Sequence, residues 1–464
     1  MGGMISDGRF FALPDRDQPV LFGPSLRQAI ADDPELLAFD AAIDRLDFAA
    51  LEADYSQVGP PAFAPRLLFK VLVYAYMLGL RSSRQIDRAC RRDDAFRFLA
   101  HGLTPDFRTL CRFRRRRVDH FAELFQQTVR RCQAAGLVSL GNVAIDGTKL
   151  RANRSKAGLA SAQAEFRQAL AEAEVADGDL PEEPPAEPPE AAAAAEEARF
   201  MKSGAELVPA YNAQIAVDAD HQIIVAQQVR TEPADQGLLA PLAQQVEDNC
   251  GQPPQAICAD GAYLTKVDLE RMDASETQLY TPPRERATAG LEWVESERAF
   301  RCPAGQWLRA GRVREGRQIY RTRAGAGCPH ARACGVQAGE KHVYVPLPDT
   351  PRGRLDRRMA SEVGQALYAA RKQIVEPVFG QFKHNRGWRR FLLRGKSGAQ
   401  AEWSLTCIGH NLGKLIQAGG DRRGGSAESQ GSTTRKRQSP LLFRVFVGHR
   451  RFAYHGHPRR VAAA

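Results

Sequence analysis

Val143-Ala144-Ile145-Asp146-Gly147-Thr148-Lys149-Leu150 is a short apolar run that closes on an acid and a glycine. Its start reads as a strand and its polar end as a turn. Ala256-Ile257-Cys258-Ala259 repeats the pattern, running into Asp260 and Gly261. Two strand-end carboxylates converge if their strands are neighbours in one sheet; taken singly, each is more readily a turn former. Between them, residues 211–217 and 223–229 read as strands joined by Asp218-Ala219-Asp220-His221, which predicts a hairpin, and 234–246 reads as a helix.

A third carboxylate stands in Tyr368-Ala369-Ala370-Arg371-Lys372-Gln373-Ile374-Val375-Glu376-Pro377-Val378-Phe379-Gly380-Gln381-Phe382-Lys383. Helical spacing puts Tyr368, Lys372, Glu376 and Lys383 on one face. Pro377 removes a helical hydrogen bond and disfavours α geometry at Glu376, which predicts a kink there. The competing reading is a plain amphipathic helix with a solvated face. Three carboxylates in a dry pocket can hold two divalent cations about 3.5 to 4 Å apart, activating a water or 3′-hydroxyl and stabilising the leaving oxygen of a phosphodiester. Hard oxygen donors favour Mg²⁺ or Mn²⁺. A glycosidase carboxylate pair fits less well, because the chain is basic and lacks an aromatic-rich sugar cleft.

The 464 residues are enough for about three domains. With 43% hydrophobic and 26% charged residues the chain is an ordinary globular one, and global disorder is excluded. The net charge of +11 is unevenly spread: residues 164–198 hold eleven acids and one base, which leaves about +21 on the rest. A polyanion such as DNA or RNA is the natural partner of that remainder. Self-inhibition by the acidic stretch is a further expectation. Nine cysteines, an odd number, with no signal-like start point to a reducing cytoplasm. The longest apolar stretch, 67–80, is interrupted by Lys70 and is too short to span a membrane. Met1-Gly2-Gly3-Met4-Ile5-Ser6 fits a loose myristoylation pattern that chance explains as well.

Composition separates further regions. Residues 1–137 read as helical: Pro65 opens a periodic segment that Gly79 can stop, Ser82 and Gln85 suggest a capping box, and Thr104-Pro105-Asp106 starts another helix. This is a helix-turn-helix in outline. Arg108, Arg112, Arg114, Arg115, Arg116 and Arg117 load the helix that follows, and the run covers every face, so phosphate contact and a solvated surface are both open. Residues 138–291 hold the first strands and, at about 156–200, a Pro, Ala and Glu-rich linker; 292–346 are rich in Gly, Arg and Cys; 347–416 carry the Glu376 helix; 417–464 read as a basic, disordered tail.

With these residues in view the chain resembles a DDE transposase of bacterial insertion sequences, with an N-terminal domain of the DUF772 type. The resemblance runs from about 10 to 416 and rests on Leu80-Arg81-Ser82-Ser83-Arg84-Gln85-Ile86, Ala144-Ile145-Asp146-Gly147-Thr148-Lys149, Tyr211-Asn212-Ala213-Gln214, Ala259-Asp260-Gly261 and Val375-Glu376-Pro377-Val378-Phe379-Gly380. It implies an α+β chain: an all-α DNA-binding domain, then a ribonuclease H-like α/β catalytic core with a mixed five-stranded sheet. It implies Asp146, Asp260 and Glu376 as the triad for two Mg²⁺ or Mn²⁺ ions, with Tyr368, Arg371 and Lys383 as its Tyr-Arg-Glu-Lys signature. Four residues separate Arg371 from Glu376 where three are usual, so Lys372 also qualifies. The implied activity is cleavage at element ends and strand transfer into target DNA. Double-stranded DNA, a homo-oligomer in the synaptic complex, a bacterial cytoplasm at the nucleoid, and no membrane follow from it. The rivals are an inactive or domesticated DNA-binding copy and a ribonuclease H-like nuclease without strand transfer.

Other residues carry two readings each. Cys302, Cys328, His330 and Cys334 form either a Cys₃His zinc site or, in better keeping with their spacing, an unmetallated loop. Asp235 is read as a helix N-cap before a fourth metal ligand. Arg81 and Arg84 are DNA-contact candidates in the helical domain. Trp388, beside Arg386, Arg389 and Arg390, could stack on an unpaired base, with packing the plainer expectation. His410 and Asn411 are read as structural.

Overall fold

The computed structural model describes residues 9–18, 24–56, 60–153, 198–203, 206–282, 290–323, 328 and 340–424. The acidic stretch up to residue 197, His330, Cys334 and the tail after 424 lie outside the described residues. The chain opens with helices α1 (Leu26–Ala29), α2 (Pro34–Asp44), α3 (Ala49–Ala53), α4 (Pro65–Met77), α5 (Ser83–Arg92), α6 (Asp94–Leu99), α7 (Phe107–Arg116) and α8 (Val118–Ala134). Local chemistry sets their starts. Ser25 and Gln28 form a capping box on α1, Asp33 caps α2 ahead of Pro34, Asp93 caps α6, and Asp106 accepts from the Thr109 N–H at 2.7 Å on α7. The box expected at Ser82 does not form: Ser82 is the N-cap of α5 without a side-chain bond. Every α4 side chain but Arg66 is buried, and Lys70 is neutralised there by Asp40 and Asp44.

The first sheet contains β1 (Val143–Arg151), β2 (Arg199–Ser203), β3 (Glu206–Asp218), β4 (Ile224–Arg230), β5 (Ala256–Cys258) and β6 (Gln278–Tyr280). β3 runs antiparallel to β1, β2 and β4, while β1, β5 and β6 are parallel. The order is β4-β3-β1-β5-β6 with β2 added on β3, so the mixed sheet has six strands and not the expected five. The β3–β4 hairpin forms as predicted. Helix α9 (Leu239–Cys250) leads from β4 to β5, and α10 (Lys266–Asp273) from β5 to β6. α9 starts five residues later than the sequence suggested, which leaves Asp235 in a loop.

A second sheet, unforeseen from composition, is an antiparallel meander of β7 (Glu292–Val294), β8 (Ala299–Arg301), β9 (Trp307–Arg314), β10 (Arg317–Thr322) and β11 (Lys341–Pro346). Trp293, Phe300 and Tyr320 pack edge to face as its small centre. Helices α11 (Pro351–Ala360) and α12 (Glu362–Gly380), a π-helical turn (Gln381–Asn385) and α13 (Gly395–Gly424) complete the described chain. α13 runs eight residues past the boundary expected at 416.

α12 packs on β1, β3, β5 and β6, whereas α13 lies against β4, α8, α4, α2 and α7. One buried apolar cluster extends from Ile30 through the sheet to Leu412, so the N-terminal helices and the sheet share a core. Gly409 makes the close crossing of α13 and α4 feasible: a Cβ there would come within 2.9 Å of Met77 Cγ. Asn411 of α13 bonds both Ile224 N–H and Ile224 C=O at 2.9 and 2.8 Å, satisfying edge groups of β4. Its neighbour His410 bonds the Gln222 carbonyl at 2.8 Å, so both are structural as expected. Among the described residues no helix is long and apolar enough to cross a membrane.

Candidate active site

Parallel pairing aligns Val143 with Ile257 and Ala144 with Cys258. Asp146 and Asp260 each lie three residues beyond the first of these pairs, which brings the two acids abreast, Asp260 just past the end of β5 and Asp146 within β1, which runs on to Arg151 instead of ending at the acid as the sequence suggested. Asp146 accepts from the Gly147 N–H at 2.9 Å, and Asp260, just past β5, accepts from the Ala262 N–H at 3.0 Å as the cap of a short turn. Arg371 of α12 faces both: its guanidinium stands 3.4 Å from Asp146 and 3.6 Å from Asp260. Burial raises the Asp146 carboxyl above its ordinary value; Asp235 and Asp260 push the same way, and the Gly147 N–H and Arg371 oppose. Asp260 is half exposed, so the pair opens to solvent on that side.

Tyr368 and Lys383 flank this pair. The Arg371 guanidinium lies 5.7 Å from the Tyr368 ring centre, and burial raises the Tyr368 hydroxyl while Arg371 counters it. Lys383 is half-buried; desolvation lowers its affinity for a proton and the field of Asp146 restores part of it. Lys372 and Glu376 are exposed on the outer part of α12. Among the described residues no three His, Cys, Asp or Glu side chains gather closely enough to hold one ion, so Asp146, Asp260 and Glu376 do not form a closed ligand set, and it is Arg371 that links the two aspartates.

The helix keeps α geometry at Glu376 against expectation, and α12 passes through Pro377 unbroken. Proline lacks the N–H that would bond the Gln373 carbonyl. Gln222, from the β3–β4 turn, donates its side-chain amide to that carbonyl at 3.3 Å. The departure from α geometry comes one turn later, in the π-helical segment that carries Lys383.

A polar network beside Asp146 was not foreseen. Asp235 is no N-cap: it accepts from Lys149 Nζ at 2.9 Å, Asn212 Nδ2 at 2.7 Å and Gln214 Nε2 at 2.9 Å. Tyr263 donates its hydroxyl to the Gln214 side-chain oxygen. Cross-strand register pairs Gly147 with Gln214 and Lys149 with Asn212. A Cβ at Gly147 would sit 2.2 Å from Gln214 Nε2, so the glycine after Asp146 makes room for this amide. Asn212 and Gln214 are two apart on one strand face, and that pairing of donors is the signal that an acceptor is needed.

The arginine run divides. Arg114 is buried, donating to Tyr76 Oη at 2.7 Å, the Arg81 carbonyl at 2.9 Å and Ser83 Oγ, with Glu402 at 3.5 Å. Arg117 pairs with Asp54 and lies over Tyr55. Arg81 donates to the Gly387 and Arg390 carbonyls and covers the Trp388 ring at 4.7 Å. Trp388 is fully buried against Tyr76, Phe391 and Trp403, which settles packing over base stacking. Arg114 and Trp388 are therefore withdrawn as DNA contacts. Arg84, Arg108, Arg112, Arg115 and Arg116 are exposed. Of the zinc candidates, Cys302 Sγ accepts from the Gln306 N–H at 3.3 Å and Cys328 is partly buried, while His330 and Cys334 lie outside the described residues.

Residues 24–116 match the model of the transposase domain DUF772, and residues 301–416 that of the transposase DDE domain. The chain matches transposase families at both ends. The DDE-domain match includes Glu376 and Arg371, whereas Asp146 and Asp260 precede it. No curated protein and no solved structure matches the chain.

Proposed function

We propose that the protein is an insertion-sequence transposase that cleaves DNA at element ends and transfers the freed strand to target DNA. The observation that carries this is the convergence of Asp146 and Asp260, from neighbouring parallel strands, on the α12 helix that bears Arg371 and Glu376. The strand order β4-β3-β1-β5-β6, with β3 antiparallel to its neighbours, supports a ribonuclease H-like core. The donor set fits Mg²⁺ or Mn²⁺: the oxygens are hard, and the Asp146 carboxyl, crowded by Asp235 and Asp260, favours a cation beside it.

Asp146 and Asp260 would hold the ions, with Glu376 completing the set. Two such cations, when bound, supply activation of a water or 3′-hydroxyl and stabilisation of the departing oxygen. Arg371 and Lys383 place positive charge where phosphates flanking the scissile bond must lie, and Tyr368 supports the guanidinium. Asp235 holds the Lys149 ammonium, two residues beyond Gly147 on β1. The exposed arginines of the helical region would grip double-stranded DNA, and a homo-oligomer would join two ends.

Cleavage and joining of DNA with the element's own ends, in Mg²⁺ or Mn²⁺, tests this by comparing the parent with Glu376→Gln. The expected result is a loss of roughly 10³-fold in both steps with DNA affinity retained. Equal products from both proteins would remove Glu376 from the triad. Cleavage without joining would identify a nuclease, and binding without either reaction an inactive DNA-binding copy.

A further inference from the structure

The pairing of β1 with β5 ends at Ala144 and Cys258, and Asp146 and Asp260 stand two residues beyond it. Each acid is tied within its own element, Asp146 to the Gly147 N–H and Asp260 to the Ala262 N–H. Gln214 of β3 links those two elements from the side. Its amide lies against Gly147, the residue after Asp146, and its Oε1 accepts the hydroxyl of Tyr263, three residues after Asp260. Both side chains are buried.

The Gln214 amide has one possible orientation. Its Nε2 donates to Asp235 Oδ1 at 2.9 Å and to Asn212 Oδ1 at 2.8 Å, and the reverse orientation would set a carbonyl oxygen against a carboxylate. Asp235 is held in turn by Lys149 and Asn212. The loop that carries Asp235 also reaches Tyr263 through the backbone, where the Gly237 N–H donates to the Tyr263 carbonyl at 3.3 Å. With both amide hydrogens and the oxygen bonded, Gln214 is a fixed strut, because a buried polar network rigidifies when its members are satisfied.

We propose that Gln214, oriented by Asp235, is a positioning residue that sets the spacing of Asp146 and Asp260 and through it the affinity for divalent cations. The inference rests on the reading of these two acids as cation ligands. Acids on separate elements hold an ion tightly when their oxygens keep the right separation in its absence, since reshaping the site on binding subtracts from the affinity. Past Ala144 and Cys258 strand pairing no longer imposes that separation, and the Gln214–Tyr263 bond does.

The test measures Mn²⁺ binding to the full chain without DNA, by the loss of the free-ion paramagnetic resonance signal. Two variants cut the link without changing charge: Tyr263→Phe removes the hydroxyl, and Gln214→Met removes the amide at similar length. Each should weaken Mn²⁺ binding by about 10- to 100-fold. Because both act through one contact, the double variant should bind within about twofold of Gln214→Met. Tyr76→Phe is the comparison for general loosening. It removes a buried hydroxyl bonded to Glu402 at 3.0 Å, and it should lower stability in urea while leaving Mn²⁺ binding unchanged. Parent affinity in Tyr263→Phe, an equal loss in Tyr76→Phe, or fully additive losses in the double variant would each overturn the inference and leave the cation reading in place. Tyr263→Phe, which loses a single oxygen, decides the matter if Gln214→Met does not fold. Asp146→Asn should abolish tight binding. If it binds as the parent does, or the parent binds no Mn²⁺, the reading of the acids as ligands fails and the inference with it.

Discussion

Two buried arginines, Arg114 and Arg371, are held in opposite ways. Arg114 lies in the seam between the N-terminal helices and α13 and donates to Tyr76, Ser83 and the Arg81 carbonyl, with the buried Glu402 beside it. Glu402 is itself bonded by the Leu392 N–H at 2.7 Å and the Tyr76 hydroxyl at 3.0 Å. Arg371, at the sheet end, stands 3.4 and 3.6 Å from two carboxylates, too far for good hydrogen bonds, and its Nε and Nη1 have no hydrogen-bond partner. Arg114 leaves only its Nε without a partner, and a buried charge whose other bonds are made locks a structure. One that stops short of its acids leaves their oxygens free for another ligand, and that difference separates the fold's fastener from the proposed site.

The sharpest way to break this comparison is Arg114→Met. Glu402 would be left buried without its counter-charge, and stability in urea unfolding should fall by about 3 to 5 kcal/mol. Pairing it with Glu402→Gln should recover most of the loss. A cost below about 1 kcal/mol for the single change would mean the seam does not depend on the pair. Arg371→Gln should behave in reverse. Its acids keep contact with water, Asp260 being 52% exposed, so stability should shift by about 1 kcal/mol or less. DNA cleavage should nevertheless fall roughly 10²-fold. Equal effects of the two substitutions on stability would erase the distinction.

His410 extends the structural side of the comparison through pH. It is buried, and desolvation pushes its pKa down to about 3, with Lys414 and Arg386 adding to the shift. The unfolded chain takes up this proton below pH 6.5 and the folded chain does not. Its contribution is therefore complete above pH 6.5 and is lost as pH falls toward 3, by about 1.4 kcal/mol per unit. His410→Gln, which keeps a donor for the Gln222 carbonyl, should flatten that part of the acid-unfolding profile. An unchanged profile would show that the ring is protonated in the folded state.

Local pattern made part of this legible. Asp260 follows a strand end whose apolar run is read directly, whereas Asp146 lies inside β1, which continues to Arg151 past the turn its Gly147-Thr148 suggested; the β3–β4 hairpin and the starts of α4 and α7 follow from nearby residues. Asp235 was misread because Glu232-Pro233-Ala234-Asp235 looks like a helix start, while its three donors come from β1 and β3. The small sheet from Glu292 to Pro346 escaped because its short strands carry many charges and bury little. The carbonyl that Pro377 leaves without its helical donor is served by Gln222, a partner too distant in sequence to be read locally.

By itself, then, the sequence determined the elements and the residue types: apolar runs that lead into carboxylates, a helix with Glu376 beside cations, a basic surface, and a likeness to transposases. Those depend on neighbours along the chain. The tertiary structure decided which charges are spent. A helical run of arginines has no inside until α13 supplies Glu402 for Arg114, and Asp146 has no rival cation until α12 crosses β1 and β5 with Arg371. Electrostatic pairing acts across space between elements far apart in sequence, so only the packing of helices on the sheet separates the satisfied charges from the available ones.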